Sequence, residues 1–341
     1  MNQSPVTILM ACPPWARAFH IQQQTVQNFH QACTQTLGGQ VRLLPLQAEQ
    51  LSLERNLFST LFIMAAEAAG VDQERLPFFA MIYQCLRAQV TGCDNLLDDE
   101  YKSVIPFDLP GGGIRFRSVL TIMTSDMVLA KHVLNELGAE HMDKQLAKKV
   151  LNEVLALLIP SGIEEHEEES HLTQQIPTVE AVLQQIHPRK TGSLFSTPVR
   201  LAQRLDATDP ERSKHIAKAL ADFGIGCQIL DDLKDVADDL TRQHHNIVIS
   251  QAFHGEDPHE RRLLEKYLQT PHPAAAEAVA EQLESARARS IRTAINYFQG
   301  AEQAFCRYLP EFSIKETAAL GLLVQKSIMQ ERNDLREENQ P

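Results

Sequence analysis

Two short acidic segments carry aspartates at a spacing that could hold divalent cations. The first reads DNLLD at residues 94–98, and the second reads DDLKD at residues 231–235. The first and last aspartates of each segment stand four residues apart, so on a helix both carboxylates lie on one face. Carboxylate oxygens suit Mg²⁺, and the candidate metal ligands are Asp94, Asp98, Asp231, Asp232 and Asp235.

The chemistry that two such sites favour is the departure of a diphosphate group. A single acidic run is more often a solvated face, but two runs with matched spacing and matched apolar context favour a cation site. Mg²⁺ shares its coordination between a few carboxylates and substrate phosphates. As a Lewis acid it stabilises the negative charge of a leaving diphosphate, while an apolar cavity would shield an allylic cation from water.

Long helical patterns lead up to both segments. Apolar residues recur at intervals of four and three, which is the period of one helix face. The stripes before the first and the second segment are Leu86, Val90, Cys93 and Leu97, and Ile216, Leu220, Phe223, Cys227 and Leu230. We expect helices over residues 73–101 and 211–239, with both aspartate pairs directed toward the interior or a cleft.

The composition predicts an all-α fold. Ala, Leu, Gln and Glu dominate the sequence, and all four are good helix formers, whereas alternating apolar runs typical of strands are nearly absent. Helices are also expected at 49–69, 116–137, 143–159 and 178–206, with kinks at Pro188 and Pro198. Part of the acidic stretch 160–177 is interpreted as a helix end or a loop.

The absence of Gly- or Ser-rich linkers favours one large helical domain over residues 46–330. An N-terminal lead with one helix, near residues 16–36, precedes it in residues 1–45. A charged tail follows it at residues 331–341.

Charge and cysteine usage exclude several classes of protein. The formal net charge is −12, from 32 basic and 44 acidic residues, which is unfavourable for binding nucleic acid. The six cysteines are scattered without a CxxC pair, so we expect reduced thiols and a cytoplasmic location. We expect no signal peptide, and no apolar run is long enough to span a bilayer.

A third segment makes the pattern resemble a known family. Residues 190–195 read KTGSLF, and Gln228 precedes the second aspartate segment. The chain resembles the trans-isoprenyl diphosphate synthases of the class I terpenoid synthase superfamily, over roughly residues 50–255. That family carries two DDxxD motifs and a KTGxLF motif, and here Asn95 replaces one aspartate of the first motif.

The resemblance implies a fold, a cofactor and a partner. It implies an isoprenoid synthase helical bundle around a central apolar cavity, Mg²⁺ as cofactor (three ions with diphosphate bound) and a homodimer. It also implies that Lys190 and Thr191 approach the substrate diphosphate. The candidate catalytic residues are therefore Asp94, Asp98, Asp231, Asp235 and Lys190.

The site for a second diphosphate departs from the family pattern. Family members carry a GGKRxRP-like motif, where residues 53–59 here have one basic residue, Arg55. They also carry Arg-Arg after the first aspartate motif, where this chain has Lys102 alone. Arg115 and Arg117, after a Gly-rich turn, are candidate replacements, although an ordinary interhelical turn is the simpler interpretation. The candidate diphosphate contacts are Lys190, Thr191, Gln228, Arg55, Lys102, Arg115 and Arg117.

Three functions fit these residues. The first is a Mg²⁺-dependent prenyltransferase that ionises an allylic prenyl diphosphate, with isopentenyl diphosphate as a candidate acceptor. The second is a class I terpene cyclase, which needs no second diphosphate site. The third is a non-catalytic subunit of a heteromeric synthase, which the retention of both acidic segments disfavours. His244 and His245 could contact diphosphate or cap a helix, and the sequence leaves this open.

Overall fold

The structure, a computed structural model, describes residues 4–97, 101–111, 113–169, 175–205, 207–313 and 315–326. Asp98 and the predicted tail at 331–341 lie outside these ranges. Within them the fold is all-α, as predicted, and extended backbone pairs only at one isolated bridge between Leu43 and Phe107. No helix of the described ranges is long and apolar enough to cross a membrane.

The first half of the chain forms six helices in the described ranges. They are α1 (Pro5–Met10), α2 (Pro13–Leu37), α3 (Leu57–Ala68), α4 (Leu76–Leu97), α5 (Ile114–Gly138) and α6 (Lys144–Glu169). Short 3₁₀ turns cover Glu49–Leu51, Glu54–Asn56 and Gln73–Arg75. The N-terminal segment thus contains two helices, and α2 packs against α3, α4 and α5.

The second half begins with an irregular helical stretch. A short helix α7 (Val179–Ala181) continues into two π-helical segments, Val182–Ile186 and Pro188–Gly192. After them come α8 (Ser193–Arg204), α9 (Pro210–Arg242), α10 (Ile247–His254), α11 (Pro258–Gln269), α12 (Pro273–Glu281) and α13 (Glu284–Tyr308). Residues 315–326 are also helical.

The chain divides into two compact units. One comprises Met1–Leu155 with Pro198–Ser213, and the other comprises Ala156–Thr197 with Lys214–Pro341. We refer to them as unit 1 and unit 2. The first acidic segment belongs to unit 1, whereas the KTGSLF segment and the second acidic segment both belong to unit 2.

In unit 1 a glycine determines how closely α4 and α5 approach beside the first acidic segment. A Cβ atom on Gly92 would lie 2.7 Å from Cγ1 of Ile122 and 3.1 Å from the carbonyl oxygen of Ser118. The first distance is too short for a real Cβ contact, and the second is tight. Glycine therefore lets α5 pack this closely, two residues before Asp94.

In unit 2 two glycines let aromatic rings pack onto α9. A Cβ on Gly224 would lie 2.7 Å from the ring of Phe195, and one on Gly226 would lie 2.8 Å from the ring of Phe298. Phe195 is the last residue of KTGSLF, so this contact anchors that segment to α9. The same core contains Ile229, Val236 and Leu240 of α9 together with the buried face of α10.

The predicted kink at Pro188 is a change of helix type. Pro188 cannot donate a backbone hydrogen bond, and the chain around it forms wide π-helical turns instead of breaking. Such turns are uncommon and recur at functional sites. Here they directly precede Ser193 and include Lys190 and Thr191.

Candidate active site

In the second acidic segment the buried aspartate is Asp232, and its neighbours are more exposed. Its side chain is 3% exposed, against 47% for Asp231 and 31% for Asp235. The sequence predicted that Asp231 and Asp235 point toward the interior or a cleft, and it did not single out Asp232 as the buried residue. The reason is the phase of the buried face of α9, in which Asp232 falls between Ile229 and Val236 at helical spacing.

The buried carboxylate of Asp232 is hydrogen bonded on both oxygens. Oδ1 accepts from Nε2 of Gln228 at 2.9 Å, and Oδ2 accepts from the backbone N–H of Ile247 at 2.7 Å. Nε2 of His187 lies 3.1 Å from Oδ2. Burial alone would raise the pKa of Asp232, but His187 and the two hydrogen bonds hold it below its usual value. Asp232 is therefore ionised, and it is the least suited of the three aspartates to bind a metal.

The charge on Asp232 determines which way the neighbouring hydrogen bonds run. An ionised carboxylate only accepts, so the amide nitrogen of Gln228 faces Asp232 and the amide oxygen faces away. That oxygen accepts a hydrogen bond from the hydroxyl of Thr191. Because a hydroxyl has one proton, the Thr191 oxygen presents only lone pairs to any other group. Thr191 therefore cannot donate a hydrogen bond to a diphosphate oxygen while this bond exists.

Lys190 is paired with carboxylates of α6. Its ammonium lies 2.7 Å from Oε2 of Glu168 and 3.4 Å from Oε1 of Glu165, and its carbonyl accepts from the hydroxyl of Ser161 at 2.9 Å. Burial alone would lower the pKa of Lys190, but Glu168 and Glu165 raise it above its usual value. Lys190 stays charged, and two carboxylates offset that charge locally.

The first part of the acidic stretch at 160–177 is the end of α6, which extends beyond the helix predicted for residues 143–159. Helix α6 continues to Glu169 through Pro160, and both Glu164 and Glu168 are buried. Burial is tolerated because cations lie nearby, with Arg189 3.7 Å from Glu164. Burial and then Glu167 raise the pKa of Glu164 above its usual value.

The loop between α9 and α10 is hydrogen bonded to both α6 and α9. The backbone N–H of His245 donates to Glu168 at 2.6 Å, and Nδ2 of Asn246 donates to the carbonyl of Asp232 at 2.7 Å. Asn246 is the N-cap of α10, since its Oδ1 accepts from the N–H of Val248. The cap is thus Asn246, the residue after the two histidines.

In the first acidic segment the buried residue is Asn95. The backbone N–H of Lys102 donates to its Oδ1 at 2.8 Å, and its Nδ2 donates to the carbonyl of Lys102 at 3.1 Å. Asp94 is exposed. The predicted inward stripe of α4 is wrong at its end, because Cys93 and Leu97 are exposed and the buried face turns through Gly92 and Asn95.

Unit 1 contains a pair of arginines that the sequence reading missed. Arg87 donates from one nitrogen to the carbonyl of Arg55 at 2.8 Å and from another to Oδ1 of Asn56 at 3.1 Å. Burial and then the Arg55 charge lower the pKa of Arg87 to about 10. Two adjacent cations attract an anion. Arg87 could have been noticed as the one basic residue in the apolar helix α4.

The remaining basic candidates are on the surface or in a turn. The guanidinium of Arg117 donates to the carbonyls of Leu109 and Gly111 and lies over the ring of Tyr101, 5.6 Å from its centroid. These contacts stabilise the turn before α5 and favour its interpretation as an interhelical connection. Arg115 and Lys102 are exposed.

The donor set of the second segment fits a hard divalent cation. Asp231 and Asp235 lie on one face of α9, with the ammonium of Lys234 3.8 and 3.7 Å from their carboxylates. No three His, Cys, Asp or Glu side chains of the described ranges are grouped closely enough to hold a metal alone. A cation bound here would complete its coordination with water or substrate oxygens, as Mg²⁺ commonly does.

The family model described as polyprenyl synthetase matches residues 113–285, just over half of the chain. The matched region contains the KTGSLF segment and the second acidic segment. Comparison with curated proteins finds no match.

Solved structures share the fold over nearly the whole chain. The geranylgeranyl pyrophosphate synthetase of Pyrococcus horikoshii Ot3 matches with a TM-score of 0.62 and 15% identity, over 92% of this chain and 98% of its own. A decaprenyl diphosphate synthase from Rhodobacter capsulatus matches with a TM-score of 0.63 and 15% identity, over 93% and 98%. A polyprenyl synthase from Caulobacter crescentus CB15, complexed with calcium and isoprenyl diphosphate, gives 0.61 and 14%, over 92% and 97%. The helical fold is that of the isoprenoid synthases.

Proposed function

The chain belongs to the polyprenyl synthetase family, and on that premise we propose that it uses Mg²⁺ to ionise an allylic prenyl diphosphate and transfers the prenyl group to an acceptor. The observation that supports this most is the hydrogen-bonded connection between the KTGSLF segment and the second acidic segment, from Thr191 through Gln228 to Asp232. Thr191 and Gln228, which form the first hydrogen bond of this connection, are 37 residues apart in the sequence.

The more exposed aspartates would hold the cations. In unit 2 these are Asp231 and Asp235. In unit 1 the corresponding residue is Asp94, and Asp98 lies outside the described residues. When bound, Mg²⁺ neutralises the developing charge of the diphosphate, and the family resemblance implies three ions. Gln228 and Asp232 would orient other groups instead of binding metal directly.

Thr191 is suited to stabilise the carbon that becomes positively charged as the bond to the diphosphate breaks. Its hydroxyl donates its hydrogen bond to Gln228, so its lone pairs can stabilise the allylic cation that remains when diphosphate leaves. Lys190 would attract the diphosphate with a charge that Glu168 and Glu165 partly offset. Productive binding would therefore depend strongly on the divalent cations.

A candidate site for a second diphosphate favours prenyl transfer over cyclisation. In unit 1 the guanidinium of Arg87 donates to the backbone carbonyl of Arg55 and to Oδ1 of Asn56, and the nearby charge of Arg55 lowers the pKa of Arg87. Such a pair suits the diphosphate of isopentenyl diphosphate. A cyclase acts on one prenyl diphosphate and has no use for this pair.

Two further proposals concern the assembly and location of the protein. Helix α5 exposes Phe116, Met123, Met127 and Leu134 at intervals of seven, four and seven residues, which is one apolar face. A homodimer through this face would bury it, and sedimentation velocity at micromolar concentration tests this. The six thiols without disulfides suit the cytoplasm.

The first experiment measures the products of the purified protein with Mg²⁺. Geranyl, farnesyl and geranylgeranyl diphosphates are each supplied with and without isopentenyl diphosphate, and products are identified by mass spectrometry. Longer prenyl diphosphates that require isopentenyl diphosphate support the proposal. Hydrocarbons or alcohols formed without it support the cyclase, and a chain that consumes no substrate alone supports the non-catalytic subunit.

A variant tests the acceptor site separately. Arg87→Met should raise the KM for isopentenyl diphosphate about tenfold, since it removes charge-assisted hydrogen bonds, and should leave the KM for the allylic substrate within about twofold. The exposed Arg42→Met is the matched control and should change neither. An unchanged KM for isopentenyl diphosphate in Arg87→Met would place the acceptor elsewhere.

A further inference from the structure

His187 is a buried histidine with no direct part in the proposed reaction. It lies three residues before Lys190, between the two π-helical segments, and its side chain is 2% exposed. Its Nε2 atom lies 3.1 Å from Oδ2 of Asp232. Its other ring nitrogen, Nδ1, is buried without a hydrogen-bond partner in the described part of the chain.

This arrangement is unfavourable if His187 only fills space. A buried polar atom without a partner loses its hydrogen bonds to water and gains none in return. A leucine or methionine of similar volume would fill the same space without that penalty. Packing therefore does not explain why a histidine stands at position 187. Its hydrogen bond to Asp232 is the feature that a leucine could not replace.

The neighbours of Asp232 fix the proton on His187. Oδ2 accepts the backbone N–H of Ile247 at 2.7 Å, so Nε2 of His187 faces a hydrogen-bond acceptor and is itself the donor. The same carboxylate receives Nε2 of Gln228 on Oδ1. Both side-chain donors thus converge on one carboxylate from different sides and fix its rotation.

The orientation of Asp232 is passed on to Thr191. If Asp232 rotated, Oδ1 would no longer hold the amide nitrogen of Gln228. The Gln228 amide could then turn over and present its nitrogen to Thr191. The Thr191 hydroxyl would become the acceptor of that bond, and its proton would point toward the substrate in place of its lone pairs.

We propose that His187 is a positioning residue for prenyl transfer, which fixes Asp232 and thereby keeps Gln228 and the lone pairs of Thr191 in the orientation that stabilises an allylic cation. His187 acts through these residues and does not touch the substrate. The inference rests on the proposed function, because it assigns a reaction to the Thr191 oxygen. It adds to that function a residue outside all three sequence motifs.

Two substitutions separate the hydrogen bond from the packing. His187→Leu keeps the volume and removes the donor, whereas His187→Gln keeps an N–H near the position of Nε2. In His187→Leu we expect kcat to fall about thirtyfold through misalignment, with the KM for the allylic substrate changed less than about threefold. In His187→Gln we expect most of the lost kcat to return.

A matched control tests for a general loss of stability. His215→Leu, also in unit 2, removes a side chain that bonds the hydroxyl of Tyr308 through Nδ1 at 3.1 Å. It should lower Tm without lowering kcat. A wild-type kcat in His187→Leu, or an equal loss of kcat in His187→Leu and His187→Gln, would overturn the inference, as would an equal loss in the His215→Leu control.

A measurement without turnover distinguishes this inference from the proposed function. In protein labelled with ¹⁵N-histidine, NMR should show a proton on Nε2 of His187 that exchanges slowly with water. Its absence would refute the positioning role. If that proton is present but the wild-type protein consumes no prenyl diphosphate, the proposed function fails and the role of His187 in catalysis fails with it.

Discussion

The second residue of each acidic segment is buried and hydrogen bonded, but it is an amide in the first segment and a carboxylate in the second. Asn95 and Asp232 stand at equivalent places in DNLLD and DDLKD, and both are buried and hydrogen bonded to chain that follows the segment. Asn95 faces an N–H and a C=O of Lys102, so it needs both a donor and an acceptor. Asp232 faces only donors, which suits a carboxylate.

This difference explains the departure of the first segment from the family pattern. An aspartate at position 95 would be left with its charge buried beside the carbonyl of Lys102. The amide of Asn95 satisfies both backbone groups without a charge. The substitution therefore preserves an anchoring role, and the outer aspartates of each segment are the ones we expect to bind cations.

Substitution of the outer aspartates should have the largest effect on activity. It tests whether both segments bind cations. Asp94→Asn and Asp231→Asn should each lower kcat/KM at least about a hundredfold, since each removes charge that holds the cation. The exposed Asp238→Asn on α9 should stay close to wild type. If only Asp231→Asn loses activity, the first segment does not share the metal role.

The anchors should differ in their contribution to stability, with the larger effect in unit 2. Asp232→Asn should lower the free energy of unfolding by about 3 kcal/mol, because an amide nitrogen would then face donors and a buried partner would be lost. Urea denaturation followed by circular dichroism measures it, with Asp238→Asn as control. A loss below about 1 kcal/mol would mean that the contacts of Asp232 rearrange easily.

The converse substitution in unit 1 should have a smaller effect. Asn95→Asp removes one hydrogen bond to Lys102 and buries a charge near an edge of α4, which should lower the free energy of unfolding by about 2 kcal/mol. The exposed Asn135→Asp of α5 is the control. Equal stability of Asn95→Asp and wild type would show that the first segment accepts either residue and that the amide of Asn95 has no special anchoring role.

The smallest effect should be the pH dependence of the stability that Asp232 contributes to the folded protein. Its pKa is lower in the folded protein than the value of about 3.9 in an unfolded chain. The stability it provides is therefore complete above about pH 5 and is lost as pH falls through the folded value. The difference in unfolding free energy between wild type and Asp232→Asn should be constant from pH 7 to 5 and shrink below about pH 4. A difference that grows in acid would contradict the assignment.

The sequence predicted the elements better than the orientation of their side chains. The helix over 211–239 corresponds to α9, because its apolar spacing covers many turns. The same spacing placed Asp231 and Asp235 toward the interior or a cleft and did not single out Asp232, because a buried carboxylate interrupts the apolar pattern of the helix. Helix α6 was cut short for a similar reason, since Glu164 and Glu168 are buried against cations that lie elsewhere in the chain.

The hydrogen bonds that connect the residues of the site could not be predicted from the sequence. His187 and Asp232 are 45 residues apart, and Thr191 and Gln228 are 37 apart, so no local spacing relates them. The pair of Arg55 and Arg87 is likewise formed by two separate elements. Motif resemblance located Gln228 and Thr191, but the direction of their hydrogen bond depends on the charge of Asp232, which only the packed structure reveals.

The π-helical turns at Val182–Ile186 and Pro188–Gly192 make this part of the chain intolerant of length changes. An inserted or deleted residue rotates all that follows it about the helix axis, by about 100° in an α-helix. Deleting or inserting one residue upstream of Lys190 would turn Lys190 away from α6 and Thr191 away from α9 together. Homologues and engineered libraries should therefore vary freely in amino-acid type at the outer face of this stretch while keeping its residue count constant.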